Sequence, residues 1–349
     1  MKIALDATYS IGDRLSGVGL YSREIMLGLA AVHPEARFEF WYRPQRYARS
    51  WAGALPPNAR RRLLAGPLAP RSAGLFHGLN QRLPRQPLRR SVATFHDLFV
   101  MSGEYSMPDF RARFTTQARD AAARADAIIA VSEFTKSQVV ALLGVQASKV
   151  RVVRHGVRSL AYPPRAGQAR EKVVLNVGAI QKRKNVARLV EAFETLNADW
   201  RLALAGSFGY GADEIRARIE SSPARDRISV LGYVDPDELA AWYARAAIFA
   251  FPSLDEGFGM PVLEAMAGGA PVLTSDRSAL PEVAGDAALL VNPEDTQALA
   301  QALRNLAEND DLRRELVERG LARARLFTWE RAVRETWEVY RELLALPNR

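Results

Sequence analysis

The sequence contains no cysteine. Disulfides, cysteine-ligated zinc and thiol nucleophiles are therefore excluded, and a reducing compartment suits such a chain. No apolar run approaches the roughly 18–20 residues of a membrane span. The opening Met1-Lys2-Ile3-Ala4-Leu5-Asp6 reads as a short buried strand reaching an acid, without the charged, apolar and cleavage regions of a signal peptide. The expected location is the cytoplasm. No Gly-x-Ser-x-Gly elbow or Ser-Lys pair marks a hydrolase, and no His-x-x-His or carboxylate cluster marks a metal site. There is no internal repeat and no low-complexity tract. Negative charge is scarce in one stretch: residues 37–90 hold 12 Arg against a single acid, Glu39.

What is present is an ordinary globular balance over 349 residues, 48% hydrophobic and 25% charged. At roughly 100–200 residues per domain, that length predicts two domains. The net charge of +9 is uneven: residues 1–165 carry +14 and residues 166–349 carry −5. A basic run is ordinarily a solvated face, but an asymmetry this large suggests an anionic partner.

Short β-branched or apolar runs alternate with helical patterns throughout. The first series has strands at Lys2–Asp6, Phe38–Tyr42, Leu75–Gly78, Ser91–Phe95, Ala127–Val131 and Val150–Val153. Helices are expected at Gly19–Ala31, Arg111–Ala125 and Glu133–Leu143. The Pro- and Gly-bearing stretch Tyr162–Gln168 reads as a linker. A second series follows: strand Val173–Val177, helix Asn185–Thr195, strand Arg201–Ala205, helix Asp213–Ser221, strand Ile228–Leu231, helix Pro236–Arg245, strand Ile248–Phe251, helix Pro261–Ala267, strands Pro271–Thr274 and Ala288–Val291, and helix Thr296–Glu308. Trp329–Leu346 is a strongly amphipathic final helix. The alternation predicts an α/β fold of two doubly wound parallel-sheet domains facing each other. Ligands of such sheets sit at the carboxyl ends of the strands, and two domains offer a cleft between them.

The most informative stretch is Glu256-Gly257-Phe258-Gly259-Met260-Pro261-Val262-Leu263-Glu264, after an apolar strand and the turn Pro252–Asp255. Pro261 suits the first turn of a helix. Gly257 and Gly259 let backbone approach a ligand, and a helix start directs N–H groups at an anion. The two carboxylates are placed to meet opposite ends of one ligand, each accepting hydroxyl hydrogen bonds; spacing alone equally allows a loop acid and a surface helix acid. In Asn176-Val177-Gly178-Ala179-Ile180-Gln181-Lys182-Arg183-Lys184-Asn185, a strand, a glycine turn and a cationic pair form a plausible diphosphate clamp or a merely exposed basic turn. Ser16-Gly17-Val18-Gly19-Leu20-Tyr21 opens a helix but lacks the third glycine of a dinucleotide fingerprint. Thr94-Phe95-His96-Asp97-Leu98 puts a histidine at a strand's carboxyl end. Asp235-Pro236-Asp237 is shaped like a metal-binding Asp-x-Asp, yet acids at a helix start are ordinary capping.

These segments resemble family four glycosyltransferases. The resemblance rests on the E-x7-E segment, on Phe251-Pro252-Ser253 before it, on Ala265-Met266-Ala267-Gly268-Gly269-Ala270-Pro271-Val272 after it, and on Ala279-Leu280-Pro281-Glu282-Val283-Ala284-Gly285. It extends over essentially the whole chain and is strong in residues 173–330. It implies the GT-B fold: an acceptor-binding Rossmann-like domain at 1–165, a donor-binding one at 166–328, and a helix at 329–349 returning to the first, with Thr328 as its N-cap. It implies that Glu256 meets the donor sugar and Glu264 the ribose, while the Phe258, Gly259 and Met260 backbone lines sugar and phosphate. Gly178, Arg183 and Lys184 would hold the diphosphate; many relatives have Arg where this chain has Ala179. Tyr233 and Val234 would meet the base, Gly17 and Gly19 the donor phosphates from the first domain, and His96 the transferred sugar, with Asp97 orienting His96. His155-Gly156-Val157 would mark the hinge side.

The implied activity is metal- and cofactor-independent, retaining transfer of a hexose from a nucleotide-sugar to a glycan or lipid-linked acceptor in cell-surface polysaccharide assembly. Bacterial mannosyltransferase-like members are the nearest in motif, so GDP-mannose is the expected donor. Alternatives are a UDP-sugar donor, another GT-B enzyme such as an epimerase or phosphorylase, and a catalytically silent sugar-nucleotide-binding subunit. The basic segment 37–90 also interleaves Trp41, Tyr42, Trp51, Leu55, Leu63 and Leu64 with Arg60-Arg61-Arg62 and Arg89-Arg90. It is expected to dock on an anionic membrane at the inner face of the plasma membrane. No nucleic-acid recognition motif accompanies the charge.

Overall fold

A computed structural model describes residues 1–12, 14–66, 68–157 and 170–346. The linker expected at 162–168 lies outside the described residues. The chain divides into two compact units: Met1–Ser102 with Met107–Gly156 and Thr328–Arg349, and Gly103–Ser106 with Val157–Phe327.

The first unit is built on a seven-stranded sheet in the order β3-β2-β1-β4-β5-β6-β7. These strands are β1 Lys2–Asp6, β2 Arg37–Tyr42, β3 Ala59–Leu63, β4 Leu75–Gly78, β5 Ser91–Phe95, β6 Ala127–Ala130 and β7 Val150–Val152. All neighbours pair parallel. Such strands are covered on both faces and read as continuous apolar runs; β5 is buried at every position. The second unit has a six-stranded parallel sheet, β10-β9-β8-β11-β12-β13. Its strands are β8 Glu171–Val177, β9 Arg201–Ala205, β10 Ile228–Gly232, β11 Ala246–Phe251, β12 Val272–Ser275 and β13 Ala288–Val291. In each sheet the chain winds outward to one edge and then restarts on the other side of the first strand. Ligands of doubly wound sheets bind where the order reverses. In the second unit that point is the carboxyl end of β8 and β11, where the Arg183 and Glu256 loops emerge.

One strand goes unrecognised in the sequence. β3 contains Arg60, Arg61 and Arg62, and their charge hides its strand character. It lies at the sheet edge, where exposed arginines oppose edge-to-edge pairing. Arg61 lies over Trp51, 5.0 Å from the ring centre, and donates to the Ser50 carbonyl at 2.9 Å and to the Gly53 carbonyl. Trp41 and Tyr42, read as interleaved membrane residues, are buried on β2; Trp51 is 63% exposed. Among the described residues, four α-helices also escape the sequence reading, Pro44–Tyr47, Phe99–Ser102, Leu280–Ala284 and Asp310–Ala324.

The last helix, Trp329–Ala345, starts at Thr328, whose side chain accepts from the Arg331 amide at 3.1 Å. It packs in the first unit. His33 stacks on Trp337 with ring centres 3.6 Å apart. A Cβ on Gly28 would lie 2.5 Å from Val333, so only glycine admits so close an approach there. Buried aromatic surface of this kind contributes about 1.5–3 kcal/mol per side chain.

Candidate active site

Three sequence-selected side chains of the second unit converge into one charged cluster. Lys184 Nζ lies 2.5 Å from Glu256 Oε1, and Arg183 Nη1 lies 3.0 Å from Glu256 Oε2. All three are buried. Burial alone would raise the Glu256 pKa, but the Arg183 and Lys184 charges outweigh it and hold the carboxyl down to about 2. Ser253 donates to Glu256 Oε1 at 2.6 Å, and the Glu256 amide donates to Ser278 Oγ at 3.1 Å. Arg183 Nη1 also donates to the Asp255 carbonyl. Lys184 Nζ lies 4.5 Å from the centre of the Phe251 ring. Two cations meet at one carboxylate.

The backbone explains how the two loops meet. Gly178 has φ +135° and follows β8 directly. A Cβ on Gly206 would stand 1.9 Å from the Gly178 carbonyl, so glycine is needed beside it. Asn185 takes the left-handed conformation, φ 59°, and donates to the Pro293 carbonyl at 2.6 Å. That turn brings Arg183 and Lys184 toward the Glu256 loop; the Leu254 amide donates to the Arg183 carbonyl at 2.8 Å. Gly259 has φ +120°, and a Cβ there would lie 2.8 Å from Leu280. It begins the helix Met260–Ala267 with Pro261 in the first turn, a start that directs amide groups outward. Phe258 is buried and meets Phe327 edge-on at 6.0 Å, so its backbone, not its ring, is on offer.

Glu264 stands apart from the cluster. It is half-buried and accepts from the Tyr243 hydroxyl at 2.9 Å. Burial and the Glu264 charge push the Tyr243 hydroxyl well above its ordinary pKa, so it stays a donor. Tyr233 is exposed after β10 and Val234 half-buried. Asp235 caps the next helix, accepting from Asp237 and Glu238 amides at 3.1 and 3.0 Å; capping accounts for this acid pair. Ser253, Ser278, Tyr243 and Gly206 were not singled out in the sequence. Ser253 alone carried a signal, its place in Phe251-Pro252-Ser253.

In the first unit, His96 follows β5 and is buried. Its Nε2 is 3.0 Å from the Leu79 carbonyl. A carbonyl only accepts, so Nε2 carries the proton and Nδ1 is the acceptor. Burial lowers the His96 pKa to about 4, leaving a neutral ring at physiological pH. His96 meets Tyr21 edge-on at 4.7 Å and stacks with His155 at 5.5 Å. His155 is buried beside Trp329, 5.9 Å away. His77, given no role from sequence, bridges Thr94 at 2.8 Å and Tyr340 at 2.5 Å, and Tyr21 joins the same Thr94 hydroxyl at 3.0 Å. The glycines expected at the donor phosphates part company. Gly17 is exposed, with open space where a Cβ would stand. Gly19 is buried, its amide donates to the Ser16 cap at 3.3 Å, and a Cβ would lie 2.8 Å from the Tyr9 carbonyl. Close packing alone therefore requires glycine at position 19.

Comparison with known proteins shows the family and the fold. Residues 32–159 match the family described as "Glycosyltransferase Family 4" and residues 164–323 match "Glycosyl transferases group 1". O-antigen chain mannosyltransferase B of Escherichia coli is 32% identical over 77% of this chain and 74% of its own length. A serotype-specific mannosyltransferase of Escherichia coli is 26% identical over 73% of this chain, a match spanning 34% of that longer protein. Among solved structures, sucrose-phosphate synthase from Thermosynechococcus elongatus superposes with a TM-score of 0.81 at 24% identity, covering 99% of both chains. Anabaena HepE in complex with UDP-glucose does so at 0.74 and 18% identity, covering 99% of this chain and 100% of its own. The chain belongs to glycosyltransferase family 4 and is a glycosyltransferase of the GT-B fold.

Proposed function

We propose that this enzyme transfers mannose from GDP-mannose, with retention and without a metal ion, to a glycan or lipid-linked acceptor in cell-surface polysaccharide assembly. The observation that carries the reading is the Arg183–Glu256–Lys184 cluster at the carboxyl ends of β8 and β11. The sugar leaves a diphosphate whose negative charge grows in the transition state. Fixed guanidinium and ammonium groups beside the Met260 helix start stabilise that charge without reorganising. Glu256 fixes both cations and turns toward the sugar hydroxyls; Glu264, steadied by Tyr243, holds the ribose; the Tyr233–Val234 backbone meets the base. The acceptor hydroxyl attacks the anomeric carbon from the leaving-group face as the C–O bond to the diphosphate breaks. Its proton passes to a phosphate oxygen. The residues chiefly position the reactants.

Mannose is supported by the relatives, several of which are named mannosyltransferases. A second reading, a UDP-sugar donor, is favoured by the HepE structures that hold UDP and UDP-glucose. Thermal shift separates them: a ligand of the native state raises its melting temperature. A larger shift with GDP and GDP-mannose than with UDP and UDP-glucose supports mannosyl transfer, and the reverse order sinks it. Slow hydrolysis of GDP-mannose should continue in excess EDTA. Activity lost in EDTA and restored by Mg²⁺ or Mn²⁺ would refute the metal-free route.

Peripheral contact with an anionic membrane is kept in narrower form. No helix among the described residues is long and apolar enough to cross a bilayer. With Trp41 and Tyr42 in the core, the contact is assigned to exposed Trp51, Arg60 and Arg62.

A further inference from the structure

The carboxyl edge of the first sheet holds a second basic site, distinct from the donor cluster. A cleft of about 550 Å³ opens there, within the range of small-ligand pockets. Arg43 enters it directly after β2, Ala65 and Gly66 after β3, and Arg82 and Arg85 from the segment between β4 and β5. The helix Pro108–Arg124 closes the far wall with Gln117 and Asp120.

Charge in this cleft is only partly compensated. Arg43 Nη2 lies 3.4 Å from Asp6 Oδ2. Asp120, the acid of the wall, is held by Arg124 at 2.9 Å. Among the described residues Arg82 and Arg85 have no carboxylate partner. Arg43 Nε is buried without an acceptor, and a buried donor of this kind calls for a partner. Through Leu83 and Arg85 the cleft adjoins another of about 690 Å³, into which Arg71 and Arg89 project. They too lack a carboxylate partner among the described residues. Uncompensated guanidiniums in two joined clefts match an anion of several charges on linked centres, with oxygens for the guanidinium fork.

We propose that these joined clefts bind a diphosphate ester. On the reading above, it is the anionic end of the acceptor, so its identity as acceptor rests on that reading while the anion site does not. Arg82 and Arg85 supply the principal contacts, Arg43 a third, and Arg71 and Arg89 receive the second phosphate.

Pyrophosphate titrated calorimetrically into the full chain tests this. Wild type should bind at two classes of site. Lys184→Gln should lose the donor-site class and keep the other. Arg82→Gln with Arg85→Gln should weaken that other class by at least about tenfold and leave the donor class intact. Among the described residues neither arginine has a carboxylate partner to lose, so the double variant should melt as wild type does. Unchanged pyrophosphate binding in the double variant overturns the proposal, as does loss of all binding in Lys184→Gln. Failure of the donor reading alone would show as a Lys184→Gln variant that still binds at both classes. Geranyl diphosphate competing with pyrophosphate at this site identifies an ester as the occupant. Phosphatidylglycerol vesicle binding that falls in the double variant while pyrophosphate binding stays constant would reassign the arginines to a lipid headgroup and overturn the proposal.

Discussion

Lys184 and Glu256 stand 72 residues apart in sequence, yet their charged atoms lie 2.5 Å apart in a buried cluster. The pair joins the loop after β8 to the loop after β11, so the cations proposed to meet the diphosphate and the carboxylate proposed to meet the sugar form one electrostatic unit.

Glu256→Gln should therefore separate binding from turnover. It removes the charge that holds two cations, so nucleoside diphosphate affinity should stay level or rise while kcat falls at least about a hundredfold. Breaking a buried ion pair by removing one partner costs about 3–5 kcal/mol, so the melting temperature should drop as well. Calorimetry, initial rates and a thermal melt together check this. Equal loss of affinity and turnover would mean that Glu256 only supports the phosphate site.

Glu264 and Tyr243 should behave differently. Glu264→Ala removes the proposed ribose acceptor and leaves the buried Tyr243 hydroxyl without its carboxylate, a cost of about 1–3 kcal/mol. Nucleotide affinity should fall by about tenfold or more. Tyr243→Phe removes only the hydrogen bond that steadies Glu264, so KM should rise a fewfold with kcat nearly unchanged. Isothermal titration with the nucleoside diphosphate and steady-state kinetics of both variants measure the contrast. A Tyr243→Phe effect confined to kcat would contradict a ribose-side role.

Much of this arrangement was legible in the sequence. β1, β4, β5 and β9 fall where apolar runs place them, because strands covered on both faces are apolar throughout; β13 is also found by its apolar run, though it lies half-buried at a sheet edge. Both acids and both cations of the proposed donor site were named from the family resemblance, which decided what spacing alone left open. Contacts between distant segments were not legible. Nothing local to His77 announces Tyr340, a partner 263 residues away. Nothing near Glu256 announces the serine cap from residue 278. β3 was hidden because its arginines look outward from a sheet edge, and composition does not separate that from a charged loop. Gly19 shows a related limit: a glycine required by packing and one required by a ligand look alike until their neighbours are known.

The buried histidines predict which unit acid destabilises first. Burial lowers the His77 pKa to about 3 and His96 to about 4, and His155 lies well below its ordinary value. Unfolded imidazoles titrate near 6.5, so below that pH the unfolded chain binds more protons. Stability is then present above about pH 6.5 and is lost as pH falls toward 4, by ~3 kcal/mol for each of His77 and His96, with His155 adding in the same direction. Glu256, held to about 2, also stabilises only while ionised, but its loss begins below the unfolded carboxylate pKa of 4.5. Between pH 6.5 and 4.5 the first unit should weaken before the second. Hydrogen exchange read peptide by peptide across that window checks it: protection should fall in β4, β5 and the last helix while β8 and β11 keep theirs. Uniform loss would show that these histidines do not govern acid stability.

The narrowed membrane surface also makes a prediction, and the edge strand supplies its control. Trp51, Arg60 and Arg62 are exposed, whereas Arg61 is tied to Ser50, Gly53 and the Trp51 ring. A cation near an anionic bilayer contributes about 1 kcal/mol, and an aromatic ring suits the headgroup boundary. Substituting Arg60→Gln, Arg62→Gln and Trp51→Ala together should reduce sedimentation with phosphatidylglycerol vesicles by tenfold or more. Arg62 is also 3.4 Å from the buried Glu39 carboxylate, but Lys2 Nζ stays 3.8 Å from that carboxylate and the Trp41 indole donates to it at 3.2 Å, so the triple variant should stay folded. Arg61→Gln should instead lower the melting temperature, because it removes contacts that hold the 48–53 turn against β3. Wild-type binding should vanish on phosphatidylcholine vesicles and weaken with salt, as screening shortens the reach of each charge. Sedimentation that ignores lipid charge, or that survives the triple substitution, assigns Arg60 and Arg62 to guarding the sheet edge alone.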